Sequence, residues 1–569
     1  MRQGTMPTEL PPFLPFFIVA LLAAVTRGRL RAALMLATPI LGAVALTGIA
    51  TGDLLQVRIL GYTLTPVRVD ELSLMFGYLF HLGALIAVIY ALHTRDTLQH
   101  TTAMIYTGSA LGAVFAGDLI SFFLFWELLT LSSVFLVWAR RTPQAMAAGF
   151  RYLILQIVSG VTLLAGIIVY VYVTGQVDME HIGLEAPGGW LIMLALGLKC
   201  GFPLLHMWLT DAYPESTPTG AVFLCMFTTK CAIYALTRTF AGAEPLIYIG
   251  TAMTFFPIFF AVIENDLRRV LSYSMINQLG FMVCGVGLGS ALALNGAVSH
   301  AFNDVLFKGL LFMSMGAVLT MTGRTRASDL GGLYKTMPQT ATLCIIGAAS
   351  ISAIPLFCGF VSKSMIMQAA LDQGHMVIWF FLLFASVGVL EHAGIKIPFF
   401  AFFAHDSGLR PAEPPVNMRL AMAVAAVLCV VIGAFPEATL YRLLPFDADY
   451  QPYDMTHVIT QMQLLLFGGL AVFWMMRTGR YPAEERAINL DFDWLYRRVL
   501  PSGLSAVERA LRPGWDGIRI GVLRQFYGFV NLLFRYHGPS GALAKTWPTG
   551  SMALWVAVLL AVFVIAYYV

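Results

Sequence analysis

The stretch at residues 190–208, WLIMLALGLKCGFPLLHMW, decides how this chain is read. It is apolar enough to lie in a bilayer, yet Lys199 stands near its middle and Pro203 follows within a turn. A charge at the bilayer centre costs about 3 kcal/mol on insertion scales. Proline frees a backbone carbonyl and breaks or kinks a helix, and irregular backbone at membrane depth survives where it is buried in protein or lines a wet cavity. The stretch predicts an interrupted membrane helix carrying a lysine that is used. Four further charges sit in apolar runs: Glu127 in 118–139, Lys230 in 221–236, Lys308 in 305–319 and Lys396 in 392–403. Intramembrane charges of this kind mark proton or ion paths by default.

Composition sets the setting for these five residues. Hydrophobic residues make up 58% of the chain and charged ones 12%, with a mean hydropathy of +0.77. Soluble domains run near about 25% charged, so the chain reads as an all-α polytopic membrane protein, not a soluble enzyme with an anchor. A span needs about 20 apolar residues. Candidates fall near 10–26, 30–50, 72–93, 100–117, 118–138, 147–174, 188–208, 218–240, 244–263, 269–290, 294–320, 336–357, 376–405, 418–436, 457–476 and 551–569. These give about 14–16 transmembrane helices; the short stretch 359–371 extends the twelfth or stands aside. The first run, 11–26, has only Arg2 before it and RGRLR after it, which favours an uncleaved span over a signal peptide.

Lys and Arg collect on the cytoplasmic side. With the N-terminus outside, the cytoplasmic connections hold Arg27/Arg29/Arg31, Arg140/Arg141, Arg268/Arg269, Arg324/Arg326 and Arg477/Arg480. The opposite loops are acidic, with Asp178, Glu180 and Glu185 in one and Glu437, Asp447, Asp449 and Asp454 in another. Arg268 and Arg269 read as loop anchors. The net charge of +4 comes from these short loops and argues against nucleic acid as a partner. The seven cysteines show no CxxC or metal spacing and read as buried apolar residues.

Three domains follow: a membrane domain over 1–476 with its core at 70–440, a polar and aromatic segment over 477–550, and a terminal span at 551–569. Within the second, 505–538 mixes Arg with Phe, Leu, Ile and Tyr. It is either an amphipathic segment lying in the membrane interface or along a partner, or a cytoplasmic linker.

The intramembrane charges show order. GLKCGFP and HAGIKIPFF look alike, pairing Lys199 with Pro203 and Lys396 with Pro398, and each is followed by a His and an Asp (His206 and Asp211; His405 and Asp406). Interrupted helices in matching halves point to transport sites; snorkelling to an interface is the alternative for either lysine. His300, Asp304 and Lys308 are spaced i, i+4, i+8 and share one helix face, as a relay or as a static network between helices. Glu127 needs a cationic neighbour to stay charged, and Lys199 and Lys230 are the candidates. Lysine can release a proton when buried; arginine cannot. Lys363, in GFVSKSMI, is ambiguous.

The stretches LFWELLTLSS (124–133), GLKCGFPLLHMWLTDAYPESTPTGAVF (197–223), DLRRVLSYSMINQLGFM (266–282), FKGLLFMSMGAV (307–318) and IPLFCGFVSKSMI (354–366) resemble the antiporter-like, proton-translocating membrane subunits shared by respiratory complex I and Mrp-type Na+/H+ antiporters. The segments 394–423, 443–467 and 485–498 look most like the D-type subunit of the Mrp antiporters. The resemblance implies two pseudo-symmetric repeats, each with a broken helix. It places Glu127 as the paired glutamate and Lys199 as the central lysine of the first broken helix. Lys230 becomes the link between halves, and Lys308, with His300 upstream, its counterpart in the second. Lys396 becomes the terminal lysine of the second broken helix and the exit to the opposite side; some complex I members carry glutamate there. Two departures stand out: LLHMWLTDAY has Thr210 and Tyr213 where PLHxWLPDAH is common, and Asp304 replaces a common histidine. A carboxylate there favours a salt bridge or a cation ligand over a neutral relay. The implied protein is a non-enzymatic transporter subunit of the bacterial inner membrane. It works with partner subunits, Na+ and H+ in lipid, with no cofactor and no sodium site located. The rival is a proton-pumping membrane subunit of a complex I-like NADH:quinone oxidoreductase or membrane hydrogenase.

Overall fold

The computed structural model describes residues 10–59, 61–482, 484–485, 489–538, 541 and 548–568. Arg2 and Pro539 lie outside them. The chain forms two units, Met1–Asn489 and Leu490–Val569.

Helices α1 (Leu14–Val25) and α2 (Gly28–Leu46) open the first unit. A hairpin of β1 (Gly52–Ile59) and β2 (Tyr62–Val69) follows, paired antiparallel from Gly52↔Val69 to Ile59↔Tyr62. It is a small addition to the expected helical membrane architecture. Its cause is the alternation in YTLTPVRV, whose Thr65, Val67 and Val69 turn inward. The hairpin is fastened to the turn between α4 (Thr97–Phe115) and α5 (Leu119–Trp138), after α3 (Glu71–Ala91). Asp118 caps α5 through the Ile120 and Ser121 amides while its other oxygen accepts from Thr65 N (2.8 Å). One carboxylate thus satisfies two helix-end donors and a strand donor.

The long α6 (Pro143–Thr174) leads to an interrupted span, α7 (Gly189–Cys200) and α8 (Met207–Glu215). The next span, α9 (Pro218–Met226) and α10 (Thr228–Phe240), is jointed at Phe227. Then α11 (Glu244–Ile263) and α12 (Leu267–Leu288) pack backbone to backbone. A Cβ on Gly250 would meet Cys284 N at 2.3 Å, and one on Gly280 would meet Thr254 N at 2.5 Å. Small residues let membrane helices approach this closely. The 32-residue α13 (Ala291–Thr322) runs through the core against α9, α12, and the later α14 (Pro338–Ile351), α15 (Cys358–Asp372) and α18 (Val416–Ala434). Between α15 and α18, α16 (Met376–Val389) continues through π-wound turns at Leu390–Ile395 and Phe399–Phe403, on either side of the short α17 (Lys396–Pro398). The unit's last helix is α19 (Met455–Arg477).

Among the described residues, twelve helices are long and apolar enough to cross a membrane. The other four expected spans are the 12-residue α1, the hydroxyl-rich α4, and the interrupted pairs α7–α8 and α14–α15. The connections segregate into two faces. On one, Arg31 bonds Thr97, Arg141 bonds Asp96, Asn265 bonds Ser328 and Lys335 bonds Asp406. On the other, Arg68 reaches Glu180 and Asn295 bonds the Phe446 carbonyl. The first face carries the arginine-rich loops, so it is the cytoplasmic one by the charge rule. The seven cysteines are buried and free.

In the second unit, a π-wound turn at Leu495–Val499 leads into α20 (Leu500–His537), 38 residues with Pro513 inside, and α21 (Thr549–Tyr568) follows.

Candidate functional site

Lys199 sits in the last turn of α7. The helix stops there because Gly201 takes φ +82° and Pro203 has no N–H to continue the ladder; Leu204 then adopts φ +72°. The break turns the ammonium toward α5. Lys199 Nζ donates to the Trp126 carbonyl (2.7 Å) and Thr130 Oγ1 (2.8 Å) and lies 4.0 Å from the centre of the Trp126 ring. Carbonyl, hydroxyl and ring face together replace water around a fully buried cation. Glu127 is one residue beyond that carbonyl. Its Oε1 is pressed against α6 where a Cβ on Gly160 would stand 1.8 Å away, and it finds no hydrogen-bond partner among the described residues. Glu127 and Lys199 interact electrostatically but form no ion pair among the described residues.

Lys230, the other candidate partner for Glu127, is engaged elsewhere. The joint at Phe227 frees carbonyls in α9, and Lys230 Nζ donates to Cys225 O (2.9 Å) and to Asp304 Oδ2 (2.5 Å). Both side chains are fully buried. This ion pair joins α10 to α13, and so ties the helix that follows the first break to the core helix of the second half.

His300, Asp304 and Lys308 share one face of α13 but each bonds outward to a different helix. His300 pairs through Nδ1 with Ser362 Oγ (2.9 Å) and through Nε2 with Gln278 Oε1 (3.2 Å). Lys308 Nζ donates to Ser274 Oγ (2.8 Å). Asn303 adds bonds to the Cys358 carbonyl (2.7 Å) and Ser362 Oγ (3.1 Å). The stripe is therefore a junction of α10, α12, α13 and α15, held by one ion pair and several hydroxyl and amide groups.

Lys396 departs from expectation in two ways. Pro398 does not interrupt its helix: the π-wound turns absorb the missing donor, as π-bulges do. Nor is the lysine mid-membrane. Its Nζ donates to the carbonyls of Val262 (2.5 Å) and Ala261 (3.4 Å), at the end of α11 that meets the Arg268/Arg269 turn. Nearby, Glu391 accepts from Tyr481 OH (2.8 Å), and Glu484 and Glu264 lie within electrostatic reach of Lys396. Lys396 thus belongs to the arginine-rich end.

The second break lies instead between α14 and α15, at 352–357. Pro355 and Leu356 (φ +73°) repeat Pro203 and Leu204 of the first. Lys363, ambiguous in the sequence, follows this break, buried, with Nζ donating to Ile351 O (2.7 Å). The expected likeness of the His–Asp pairs also fails. Asp211 is buried and takes a two-pronged bond from Arg151 (2.7 and 3.0 Å). Asp406 is an exposed loop residue whose partners Arg410 and Lys335 hold its carboxyl well below the usual range. Arg268 is more than a loop anchor. It is fully buried and donates to the Pro214 (2.8 Å) and Ser216 (3.0 Å) carbonyls, clamping the end of α8; Arg269 pairs with Glu264 (3.8 Å). Sequence reasoning passed over Thr130, Ser274, Gln278 and Ser362, because a hydroxyl or amide in a membrane helix is common. Glu391 and His392 interrupt an apolar run and were visible in principle.

Among the described residues no cluster of His, Cys, Asp or Glu could hold a metal ion. Residues 116–388 match the family described as NADH:quinone oxidoreductase/Mrp antiporter, transmembrane. The chain is 27% identical over 533 residues to the A-type subunit of the Na(+)/H(+) antiporter of Alkalihalophilus pseudofirmus, covering 82% of this chain and 66% of that one. It is 29% identical over 355 residues to the D-type subunit from the same organism, covering 58% and 71%. A chain in the Mrp complex from Dietzia sp. shares the fold with a TM-score of 0.76 at 23% identity, over 91% of this chain and 62% of that one. The matched region therefore spans about two thirds of the length of the A-type relative and of the Dietzia chain. Over residues 116–388, this multi-pass membrane protein is similar to the NADH:quinone oxidoreductase/Mrp antiporter family.

Proposed function

We propose that the chain is the proton-translocating subunit of a multi-subunit monovalent cation/proton antiporter in the bacterial inner membrane. The observation that carries this reading is the fully buried Lys230–Asp304 pair. It lies between the Glu127–Lys199 site and the Lys308–Lys363 site, where a static structure would be as stable with apolar residues. Protons move by way of Glu127, Lys199, Lys230 with Asp304, Lys308 with His300, and Lys396, bridged by water where the side chains do not touch. Proton influx drives Na+ extrusion, and exchange requires the partner subunits. The A-type and D-type relatives support this reading, and the likeness of 394–498 to the D type favours that branch. The C-terminal α20, with arginines among large apolar residues, lies in the membrane interface or along a partner.

The family description also covers NADH:quinone oxidoreductases. In that reading the same file of residues pumps protons outward, driven by electron transfer in other subunits.

Lys230→Arg tests the relay. It keeps the charge and the ion pair but does not release a proton. In vesicles containing the assembled complex, sodium-dependent proton flux is lost while assembly is intact. Retained flux would make Lys230 structural. Loss of Na+ dependence with retained quinone-driven pumping would select the second reading.

A further inference from the structure

Arg27, Arg29 and Arg31 at the start of α2 and Arg95 in the turn between α3 and α4 surround a cavity of about 770 Å³ on the arginine-rich face. That volume lies in the range of about 300–1,000 Å³ usual for ligand pockets. Arg31 is its fixed element, only 6% exposed. Its Nε donates to the Thr26 carbonyl (2.9 Å) and its Nη2 to the same carbonyl and to Thr97 Oγ1 (3.0 Å). These bonds pin the guanidinium between the α1–α2 turn and α4 and leave Nη1 without a partner among the described residues. Arg27, Arg29 and Arg95 are exposed and form no hydrogen bond or ion pair among the described residues. Among those residues no carboxylate lines the cavity either. Asp96, next to Arg95, is taken up by the Leu98 amide (3.0 Å) and by Arg141 (3.0 Å).

Four cations around one space repel one another, and arginine does not relieve this by releasing a proton. An anion does. The start of α2 favours one as well: its N-cap, Arg27, makes no side-chain cap, so the first-turn amides keep their donors. Guanidinium forks match phosphate oxygens two at a time. The setting is amphiphilic. Ala32, Met35 and Leu92 supply apolar wall to the same cavity. Further along, α2 is a 19-residue apolar span, and its Leu30, Leu41 and Val44 are 59%, 65% and 62% exposed. Its arginines thus stand at head-group level, above a surface that acyl chains cover.

We infer that this cavity binds the phosphate head group of an anionic phospholipid, with Arg27, Arg29, Arg31 and Arg95 around the phosphate and the acyl chains along α2. Basic pockets between membrane helices take such head groups. Arg31 already joins α2 to α4 through Thr97; the phosphate adds a second bridge, from the first turn of α2 to Arg95. The lipid thereby fastens α2 to the turn between α3 and α4. The site is separate from the buried charges of the relay and holds whether or not the chain carries protons.

The test is lipid binding by the assembled complex, purified in detergent and stripped of lipid, with bound molecules counted by native mass spectrometry. Dioleoyl phosphatidylglycerol is titrated against dioleoyl phosphatidylcholine, which has the same chains and no net charge, and against glycerol phosphate, which has the phosphate and no chains. Phosphatidylglycerol is expected to bind at least tenfold tighter than either. The triple variant Arg27→Gln, Arg29→Gln, Arg95→Gln changes only exposed, unbonded side chains. It is expected to weaken phosphatidylglycerol binding about a hundredfold, from about fivefold for each arginine near an anionic head group. Arg95→Gln alone then costs about fivefold, and decides the matter where the triple variant does not assemble. Arg324→Gln, Arg326→Gln and Arg477→Gln together remove three exposed arginines from the same face outside the cavity, and are expected to leave binding within about twofold. Equal binding of phosphatidylcholine, or equal losses in the two triple variants, overturns the site. Glycerol phosphate bound as tightly as phosphatidylglycerol identifies a soluble phosphate and overturns the lipid.

Discussion

The two interrupted spans use one backbone device for different ends. In both, a proline is followed by a leucine in the left-handed region, φ +72° at Leu204 and +73° at Leu356. Each break has a lysine in a flanking helix, Lys199 in the last turn of α7 and Lys363 within the second turn of α15. Yet the first lysine is sealed: a carbonyl, a hydroxyl and an indole face enclose it. The second has one protein carbonyl and the Phe281 ring 5.1 Å away, and it borders a cavity of mixed lining. A broken membrane helix supplies a wet or buried irregularity, but the break does not choose which. The neighbouring helix does. At the first site α5 presents Trp126 and Thr130; at the second, α12 presents Phe281, and α16 and α19 present Ser386, His457 and Gln461 to the cavity. Sealed and open sites in one chain are what a relay needs, since an end must meet water and a middle must not leak.

If the pair between the two sites is the obligatory coupling, breaking it gives the largest effect on stability. Lys230→Ala or Asp304→Ala leaves an unpaired charge in a fully buried place, which costs about 3–5 kcal/mol. Removing both costs less than the sum of the single changes. Thermal unfolding of the purified complex in detergent measures this. Single losses under about 1 kcal/mol would be the behaviour of a solvent-screened pair, and would contradict its burial. Lys199→Ala, by comparison, breaks no ion pair: it leaves a neutral carbonyl and a hydroxyl without their donor and Glu127 without its nearby cation, a loss of about 1–3 kcal/mol.

A smaller change sharpens the contrast from the sealed side. Gly160 makes room for the Glu127 carboxylate, and a Cβ there would stand 1.8 Å from Oε1. Gly160→Ala therefore displaces Glu127, costs about 1–3 kcal/mol as overpacking does, and abolishes flux. Adding Glu127→Ala removes the clash and is expected to restore stability without restoring flux. Recovery of flux in the double variant would take Glu127 out of the relay.

Much of this was legible from charge and length. Sixteen apolar runs are hard to hide, and a glutamate or lysine inside one is conspicuous because lipid makes it costly. What lay beyond reach depended on partners far along the chain. Asp304 and Lys308 share a face of α13, but nothing local says that one pairs with Lys230 across 74 positions while the other bonds Ser274. Lys396 with Pro398 looked like Lys199 with Pro203, and only the winding distinguishes them: a π-wound helix passes the proline, while glycine and positive-φ leucine end α7. The second break carried Pro355 without a charge beside it, so it lacked the mark that made the first obvious. The hairpin's two-residue period was short and lay between long apolar runs. Arg268 stood in a basic loop, and its burial depends on carbonyls that α8 turns toward it.

The smallest expected effect tests whether the two breaks are truly one device. Leucine in the left-handed region is disfavoured by about 1–2 kcal/mol, and glycine is not. Leu204 and Leu356 are 55% and 59% exposed, so glycine at either place sacrifices little packing. Glycine's greater freedom in the unfolded chain takes back about 0.5–1 kcal/mol. Leu204→Gly and Leu356→Gly should each raise stability by up to about 1 kcal/mol, and by nearly the same amount, because φ differs by a single degree. A matched rise in the two melting temperatures would mean that the breaks store the same strain and that their neighbours alone make one sealed and one open. A rise at one site and a loss at the other would mean that one leucine is held by contacts with another protein of the complex. The repeat would then be a likeness of backbone without a likeness of environment.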